Sequence, residues 1–285
     1  MPNAKVNGIE LAYEVYGDGP PLVLAHGYIA SKEMWDHQIG PFSEKYRVVV
    51  YDMRGHGESE APSEDDPGYT MAALVEDQRA LMDHLGIERA YAGGLSMGGS
   101  IAMRFALKYP RMVRALVLCD TAAGHDGAGE LMRQQWEANH DVVAAFVRNQ
   151  GVFQAMRNLY AQRAQAMGIS RPDQVPAPIL QHLERLQQVS PDGFLGAGRA
   201  LRDQQSVLER LSEVAAPTLI LVGDQDFLLV GSKAMKERMP NARFTLIQGS
   251  GHGTCLWQPE KFTAAVLDFL AEVDAGRPVV GREER

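Results

Sequence analysis

One serine in this chain lies in a sequence context that favours nucleophilic chemistry. Ser96 occupies the centre of Gly94-Leu95-Ser96-Met97-Gly98, where glycines two positions before and after it permit a sharp turn. An apolar run precedes this stretch and a helical pattern follows it, which is the arrangement that exposes a serine hydroxyl above a sheet. A hydroxyl becomes a good nucleophile only when a base accepts its proton, and the base needs an orienting carboxylate. The pattern therefore predicts Ser96 as the nucleophile of an acyl-transfer reaction.

A base and an orienting acid follow later predicted strands, in the chain order that this serine turn requires. His252 is the one histidine after the mostly helical stretch at 123–205, and it lies in a glycine-rich loop. The segment Gly223-Asp224-Gln225-Asp226 offers two carboxylates directly after a strand. Asp226 lies two residues further from the strand end than Asp224 and is better placed to meet the imidazole. Asp120, at the end of an earlier strand, is a third and weaker candidate.

Backbone N–H groups beside the serine could stabilise negative charge on a reacting carbonyl oxygen. Met97 follows Ser96 and provides the first N–H group. The segment His26-Gly27-Tyr28 ends an earlier strand, and the N–H group of Tyr28 is the best second candidate. We expect His26 and His56 to support their loops rather than to act as bases.

Composition and charge exclude several classes of function. The chain has 285 residues, a net charge of −8 and a pI near 5.5, which argues against a nucleic-acid partner. Residues 1–8 contain no apolar core of a signal peptide, and no apolar run approaches the roughly 20 residues that span a bilayer. Cys119 and Cys255 do not form a disulfide framework, and no cluster has the spacing of metal ligands. We expect a cytoplasmic protein that binds neither metal nor membrane.

Alternating strand and helix patterns predict an α/β protein with a doubly wound, mostly parallel sheet. The alternation stops between residues 123 and 205, where the pattern is almost entirely helical. We interpret 1–122 and 206–274 as the core, and 123–205 as an inserted helical cap over the carboxyl ends of the strands. Residues 275–285 are expected to form a polar, poorly ordered C-terminal tail.

Several short segments spread along the chain form a family pattern. They are His26-Gly27, Asp52-x-Arg54-Gly55-x-Gly57-x-Ser59, Gly94-Leu95-Ser96-Met97-Gly98-Gly99, Pro217-Thr218 through Gly223-x-x-Asp226, and Gly251-His252. Together they resemble the serine-nucleophile branch of the α/β-hydrolase superfamily, over residues 6–273 apart from the cap. The resemblance implies the α/β-hydrolase fold, a helical cap domain and a catalytic triad. It also places the acid at the fourth position of Gly-x-x-Asp, which favours Asp226.

Within that branch the core is similar to carboxylesterases and 3-oxoadipate enol-lactonases. The resemblance implies cleavage of an ester or lactone of a small, largely apolar substrate through an acyl-enzyme, with no cofactor. Haloalkane dehalogenases and epoxide hydrolases of this fold carry Asp at the position of Ser96, which argues against both. Alternatives are a carbon–carbon bond hydrolase, a perhydrolase or a lyase with the same triad, or a non-enzymatic ligand receptor. We expect a monomer or homodimer whose partner is the small-molecule substrate.

Aromatic side chains in the cap are candidates for an apolar wall of the substrate pocket. They are Trp136, Phe146, Phe153, Tyr160 and Phe194.

Overall fold

A nine-stranded sheet runs through the part of the chain that the computed structural model describes, residues 2–124, 128–166 and 175–285. The strands are β1 (Asn3–Val6), β2 (Ile9–Tyr16), β3 (Pro21–Ala25), β4 (Arg47–Tyr51), β5 (Ala90–Leu95), β6 (Val113–Cys119), β7 (Thr218–Gly223), β8 (Arg243–Ile247) and β9 (Gly281–Glu284). Their order is β1-β2-β4-β3-β5-β6-β7-β8-β9. The first two pairs in this order are antiparallel and all others are parallel. The predicted doubly wound, mostly parallel α/β fold is confirmed.

Helices cover both faces of the sheet. They are α1 (Asp36–Ser43), α2 (Met71–His84), α3 (Met97–Lys108), α4 (Ala128–Ala166), α5 (Ala177–Arg185), α6 (Pro191–Arg202), α7 (Leu229–Arg238), α8 (Thr254–Trp257) and α9 (Pro259–Asp274). Alternate residues of β3 belong to different apolar clusters, Val23 to one and Leu24 to the other. Both faces of the central strands are therefore buried, which explains their continuous apolar sequences. No helix within the described ranges is long and apolar enough to cross a membrane.

The C-terminal segment differs from the sequence expectation. Residues 275–285 are predicted to be a poorly ordered tail, but Gly281–Glu284 form β9, parallel to β8. The backbone N–H of Arg285 donates to Leu246 O at 2.9 Å, and that of Gln248 donates to Arg285 O at 2.8 Å. The segment lacks an apolar pattern because an edge strand is held by backbone hydrogen bonds and carries charged side chains. The prediction of an unstructured tail was wrong for these residues.

Helices α4, α5 and α6 occupy the segment predicted to be helical. Helix α4 contains a non-helical residue, Gly151 (φ 79°, ψ 162°). A cluster of buried apolar residues joins these helices to the loop after β3; its members are Ile29, Ala144, Val147, Val152, Leu186, Phe194 and Leu195. The side chain of Arg185 on α5 also donates to Glu33 O at 3.0 Å and to Asp36 Oδ2 at 2.9 Å.

Helix α6 rests directly on the backbone of the core. A Cβ atom added to Gly193 in its first turn would lie 1.7 Å from Gly55 O, so only glycine fits there. The hydroxyl of Tyr28 donates to Phe194 O at 2.6 Å, and the rings of these two residues stack with centroids 5.3 Å apart. Arg199 Nη2 donates to Asp66 O at 2.6 Å. These contacts fix α6 against two loops of the core, the one after β3 and the one between β4 and α2.

Candidate active site

Ser96 lies on a strained turn between β5 and α3. Its backbone has φ 55° and ψ −112°, a conformation that costs a non-glycine residue of order 1–3 kcal/mol and that clusters at functional sites. The flanking glycines are required by close backbone approaches. A Cβ at Gly94 would lie 2.4 Å from the carbonyl carbon of Gly98, and a Cβ at Gly98 would lie 2.1 Å from Ala25 O. The predicted strand–turn–helix geometry is present.

Asp226 and His252 are in direct contact. Nδ1 of His252 lies 3.1 Å from both carboxylate oxygens of Asp226. Asp226 is 5% exposed, and it also accepts a hydrogen bond from the Leu228 N–H group at 2.8 Å. Burial opposes the charge on Asp226, but the interaction with His252 outweighs it and holds the carboxyl pKa below its usual range. An ionised carboxylate at Nδ1 leaves Nε2 as the basic nitrogen of a neutral imidazole.

Hydrogen bonds at the end of β6 connect the Ser96 turn to the His252 loop. The N–H group of Ser96 donates to Cys119 O at 2.9 Å. The side-chain Oδ2 of Asp120, the next residue, accepts a hydrogen bond from the Gly253 N–H group at 3.1 Å. Ser96, Asp226 and His252 follow β5, β7 and β8, which lie with β6 as consecutive strands of one parallel sheet. The three predicted residues therefore belong to the same carboxyl edge.

The other two carboxylates considered from sequence have structural partners. Asp224 Oδ1 accepts a hydrogen bond from the Ser250 N–H group at 3.0 Å and makes a turn contact of the kind expected beside a strand end. Asp120 is fully buried and binds backbone groups of both loops. The histidine contact thus belongs to Asp226.

The two backbone N–H groups predicted to bind an oxyanion belong to the start of α3 and to the loop after β3. Met97 is the first residue of α3, and the first N–H groups of a helix have no acceptor within that helix. Tyr28 lies in the loop after β3, next to Ile29, whose φ of 57° is strained for a β-branched residue. The N–H group of Ile29 donates to His56 Nε2 at 3.3 Å. This bond fixes the loop that contains Tyr28.

His26 and His56 support this loop as buried neutral imidazoles. Nε2 of His26 accepts a hydrogen bond from the Met53 N–H group at 3.0 Å, and Nδ1 of His26 lies 2.7 Å from Gly27 O. Nδ1 of His56 lies 3.0 Å from Arg54 O. Each ring therefore accepts at Nε2 and donates at Nδ1. Burial lowers the pKa of His26 to about 4, and burial followed by the proximity of His26 lowers the pKa of His56 to about 3.

These two histidines should make the folded protein sensitive to acid. Their folded-state pKa values lie below the unfolded value of about 6.5, so the unfolded chain binds more protons below that pH and stability falls. Each histidine should contribute a loss of about 2 kcal/mol between pH 7 and pH 5. We expect His56→Gln to lose about 2 kcal/mol less than wild type over this interval, measured by urea unfolding. Replacement of the exposed His37 by Gln should leave the loss unchanged, and an equal change in both variants would contradict the assignment.

The aromatic residues predicted from the cap lie in different environments. Phe153 is partly buried and packs against the apolar cluster that contains Ile29, whereas Phe146 is 42% exposed. Phe194 is fully buried against Tyr28. Trp136 and Tyr160 lie on α4, and their side chains are outside the described residues.

Sequence reasoning missed one ring beside the histidine. Phe227 follows Asp226 and lies against His252, with ring centroids 4.5 Å apart and an angle of 39° between the planes. This contact restricts rotation of the imidazole and shields one of its faces. Its only sequence signal is adjacency to the predicted acid. In the searched part of the chain, no group of three or more His, Cys, Asp or Glu side chains has the arrangement of a metal site.

The chain belongs to the α/β-hydrolase fold family, whose family model matches residues 20–259. The curated protein named "Putative carbamate hydrolase RutD" from Caulobacter sp. (strain K31) is 31% identical, over 95% of this chain and 98% of the relative. The 3-oxoadipate enol-lactonase 2 of Acinetobacter baylyi is 30% identical, over 90% of this chain and 92% of the relative. A solved thermophilic esterase from Thermogutta terrifontis superposes with a TM-score of 0.82 at 31% identity, covering 96% of this chain and 99% of that one. The similarity to these hydrolases thus extends over nearly the whole length of the chain.

Proposed function

We propose that this protein is a serine hydrolase that cleaves a carboxylic ester or lactone of a small, largely apolar substrate. The observation that carries the proposal is the strained Ser96 turn on the same sheet edge as the Asp226–His252 pair. Nucleophile, base and orienting acid are the groups that acyl transfer needs, in the chain order of this fold. The esterase and enol-lactonase named among the similar proteins support the same reaction class.

The proposed mechanism uses only groups of this chain and water. Ser96 Oγ attacks the acyl carbon while His252 Nε2 takes its proton, and Asp226 stabilises the imidazolium that forms. The N–H groups of Met97 and Tyr28 donate to the oxyanion. Collapse of the tetrahedral intermediate breaks the bond to the alcohol oxygen, which receives the proton from His252. Water then attacks the acyl-enzyme by the same steps in reverse, and the acid is released.

The packing of the predicted cap favours a substrate with an apolar acyl or ring group. Its buried cluster reaches Ile29, one residue beyond the proposed oxyanion donor, so apolar side chains approach the site where the acyl group would bind. Closure of such a site against water favours ester cleavage by strengthening the electrostatic interactions within it.

A substrate panel tests the proposed function. We would measure kcat/KM for p-nitrophenyl esters of increasing chain length, for enol-lactones, for aryl carbamates and for vinylogous diketones. We expect turnover of short or medium esters or of enol-lactones, with an acyl-enzyme detectable by mass spectrometry. Preferential cleavage of the diketones would instead indicate a carbon–carbon bond hydrolase. Failure to turn over any member of the panel would contradict the proposal.

Phe153→Ala should change the choice of acyl chain. Because Phe153 packs against the cluster beside Tyr28, its removal should open space and shift kcat/KM toward longer acyl chains by roughly 10-fold relative to short ones. Phe146→Ala provides a matched control, since that ring is 42% exposed on the same helix. The measurement is the ratio of kcat/KM for hexanoate and acetate esters. Equal ratios in wild type and Phe153→Ala would show that this part of the cap does not contact the acyl group.

A further inference from the structure

Asp120 is a buried carboxyl group that the proposed mechanism does not use. It follows β6 directly, is fully buried and has φ 45°, in the left-handed region that Asp tolerates better than most residues. Its backbone N–H donates to Leu221 O at 2.9 Å, which fixes it against β7. A buried carboxyl group requires compensating hydrogen bonds, so its partners show what it does.

The side chain of Asp120 joins the two loops that carry the acid and the histidine. Its Oδ1 accepts a hydrogen bond from the N–H group of Gly223, the last residue of β7, at 3.2 Å. Its Oδ2 accepts from the Gly253 N–H at 3.1 Å, the Thr254 N–H at 2.7 Å and the Thr254 hydroxyl at 2.8 Å. Gly253 and Thr254 directly follow His252. One carboxyl group therefore fixes both sides of the acid–histidine contact.

The surroundings of Asp120 and Asp226 shift the pKa values of the two carboxyl groups in opposite directions. Burial, followed by the charge of Asp226, raises the pKa of Asp120 to about 8, although His252 and the Thr254 N–H act in the opposite direction. Against the effect of burial, the interaction with His252 and, to a smaller extent, a hydrogen bond from Asp120 lower the pKa of Asp226. The nearby thiols of Cys119 and Cys255 are neutral, since burial raises their pKa values well above the usual range. These opposite directions favour the proton on Asp120 and the negative charge on Asp226.

We propose that Asp120 is a positioning residue for His252: it holds the two loops together and, as a neutral acid, donates a hydrogen bond to Asp226. The inference rests on the proposed serine-hydrolase function and extends it to the group that orients the triad. It also gives the protein an alkaline limit. When Asp120 loses its proton, the hydrogen bond to Asp226 is replaced by repulsion between two buried carboxylates, and the support of His252 weakens.

Asp120→Asn separates this role from that of a simple buried carboxylate. The amide can keep an acceptor oxygen for the Thr254 loop and donate through its nitrogen to Asp226, so it mimics the neutral acid. We expect kcat/KM at pH 7 within threefold of wild type. Wild type should lose activity as the pH rises through about 8, and the variant should not. Asp224→Asn, a neighbouring carboxylate that also binds the histidine loop, should retain the wild-type profile. Superimposable profiles for Asp120→Asn and wild type would overturn the proposal, as would a loss of more than 100-fold at pH 7.

A second experiment tests the positioning role of Asp120. It measures the rate at which a fluorophosphonate labels Ser96 at pH 7. Asp120→Ala should lower this rate about 10- to 100-fold, because small displacements of reacting groups have effects of that size. If Asp120→Ala does not fold, Thr254→Val tests the same role, because it removes the hydroxyl that donates to Asp120. Thr254→Val should slow the labelling of Ser96 several-fold. Thr254→Ser keeps the hydroxyl and should label at the wild-type rate. Wild-type labelling rates in the folded Asp120→Ala or Thr254→Val protein would refute the role of Asp120. Activity that survives in Ser96→Ala would instead refute the proposed function, whatever Asp120 does.

Discussion

Ser96→Ala should abolish ester hydrolysis, with a loss in kcat of at least about 10⁴-fold. The side chain projects from a turn whose backbone conformation is strained, and Thr121 Oγ1 donates to Ser96 O at 2.7 Å, so the turn is held by groups outside the hydroxyl. Replacement by alanine keeps the Cβ atom and removes only the proposed nucleophile. The fold should persist, while acyl-enzyme formation should not.

The measurement combines steady-state kinetics with a fluorophosphonate probe read by intact-protein mass spectrometry. Wild type should gain one adduct and Ser96→Ala none. Ser100→Ala is the matched control, because Ser100 is a buried serine in the first turn of α3 whose hydroxyl donates to Ala122 O. It should label at the wild-type rate. Labelling or turnover that persists in Ser96→Ala, with circular dichroism showing a folded protein, would exclude Ser96 as the nucleophile.

Asp226→Asn should lower kcat by a factor on the order of 10⁴, the size of effect known for the orienting acid of serine proteases. Both carboxylate oxygens of Asp226 lie 3.1 Å from His252 Nδ1 and so fix the proton on that nitrogen. An amide nitrogen in that position is a donor, which favours the opposite tautomer and removes the base facing the serine. The change is nearly isosteric, so the loss should appear in kcat with the fold intact.

Asp224→Asn is the comparison that makes this experiment specific. Its carboxylate accepts from the Ser250 N–H group and makes no contact with the imidazole among the described hydrogen bonds. We expect kcat within about threefold of wild type and a lower thermal midpoint, since one acceptor of a buried turn is weakened. An inactive Asp224→Asn beside an active Asp226→Asn would assign the acid to the other carboxylate.

The elements nearest the serine were predictable because the glycines spaced around it are visible in the sequence. Gly94 is small because the backbone of Gly98 approaches it, whereas Gly98 is small because Ala25 O on the distant strand β3 approaches it. The hairpin at Asn7-Gly8, with positive φ at both residues, is encoded in the same way. The Asp226 contact with His252 followed from the order of strands and loops, since the carboxyl ends of parallel strands meet at one edge.

The remaining features depend on contacts between distant parts of the chain. Asp120 accepts a hydrogen bond from the N–H group of Gly253, which lies 133 residues further along the chain. Its role therefore depends on the donors that surround it in the fold rather than on its neighbours in sequence. The edge strand β9 carries no apolar pattern and is held by backbone bonds to β8. The exposure of Phe146 depends on which face of α4 meets the core, and an aromatic residue alone does not specify that face.

The contacts that hold α6 against the core limit how relatives of this protein can change their substrate specificity. Gly193 and Gly55 approach so closely that a side chain at Gly193 would collide with the core backbone, and Tyr28 joins the proposed oxyanion loop to Phe194. A new specificity acquired through α6 would therefore disturb the proposed oxyanion loop at the same time. Within α4, by contrast, a Cβ atom added to Gly151 would meet no atom within 4 Å. Recombination between relatives should accordingly exchange the α4 segment and retain α6 with the core, so that substrate choice varies independently of the catalytic geometry.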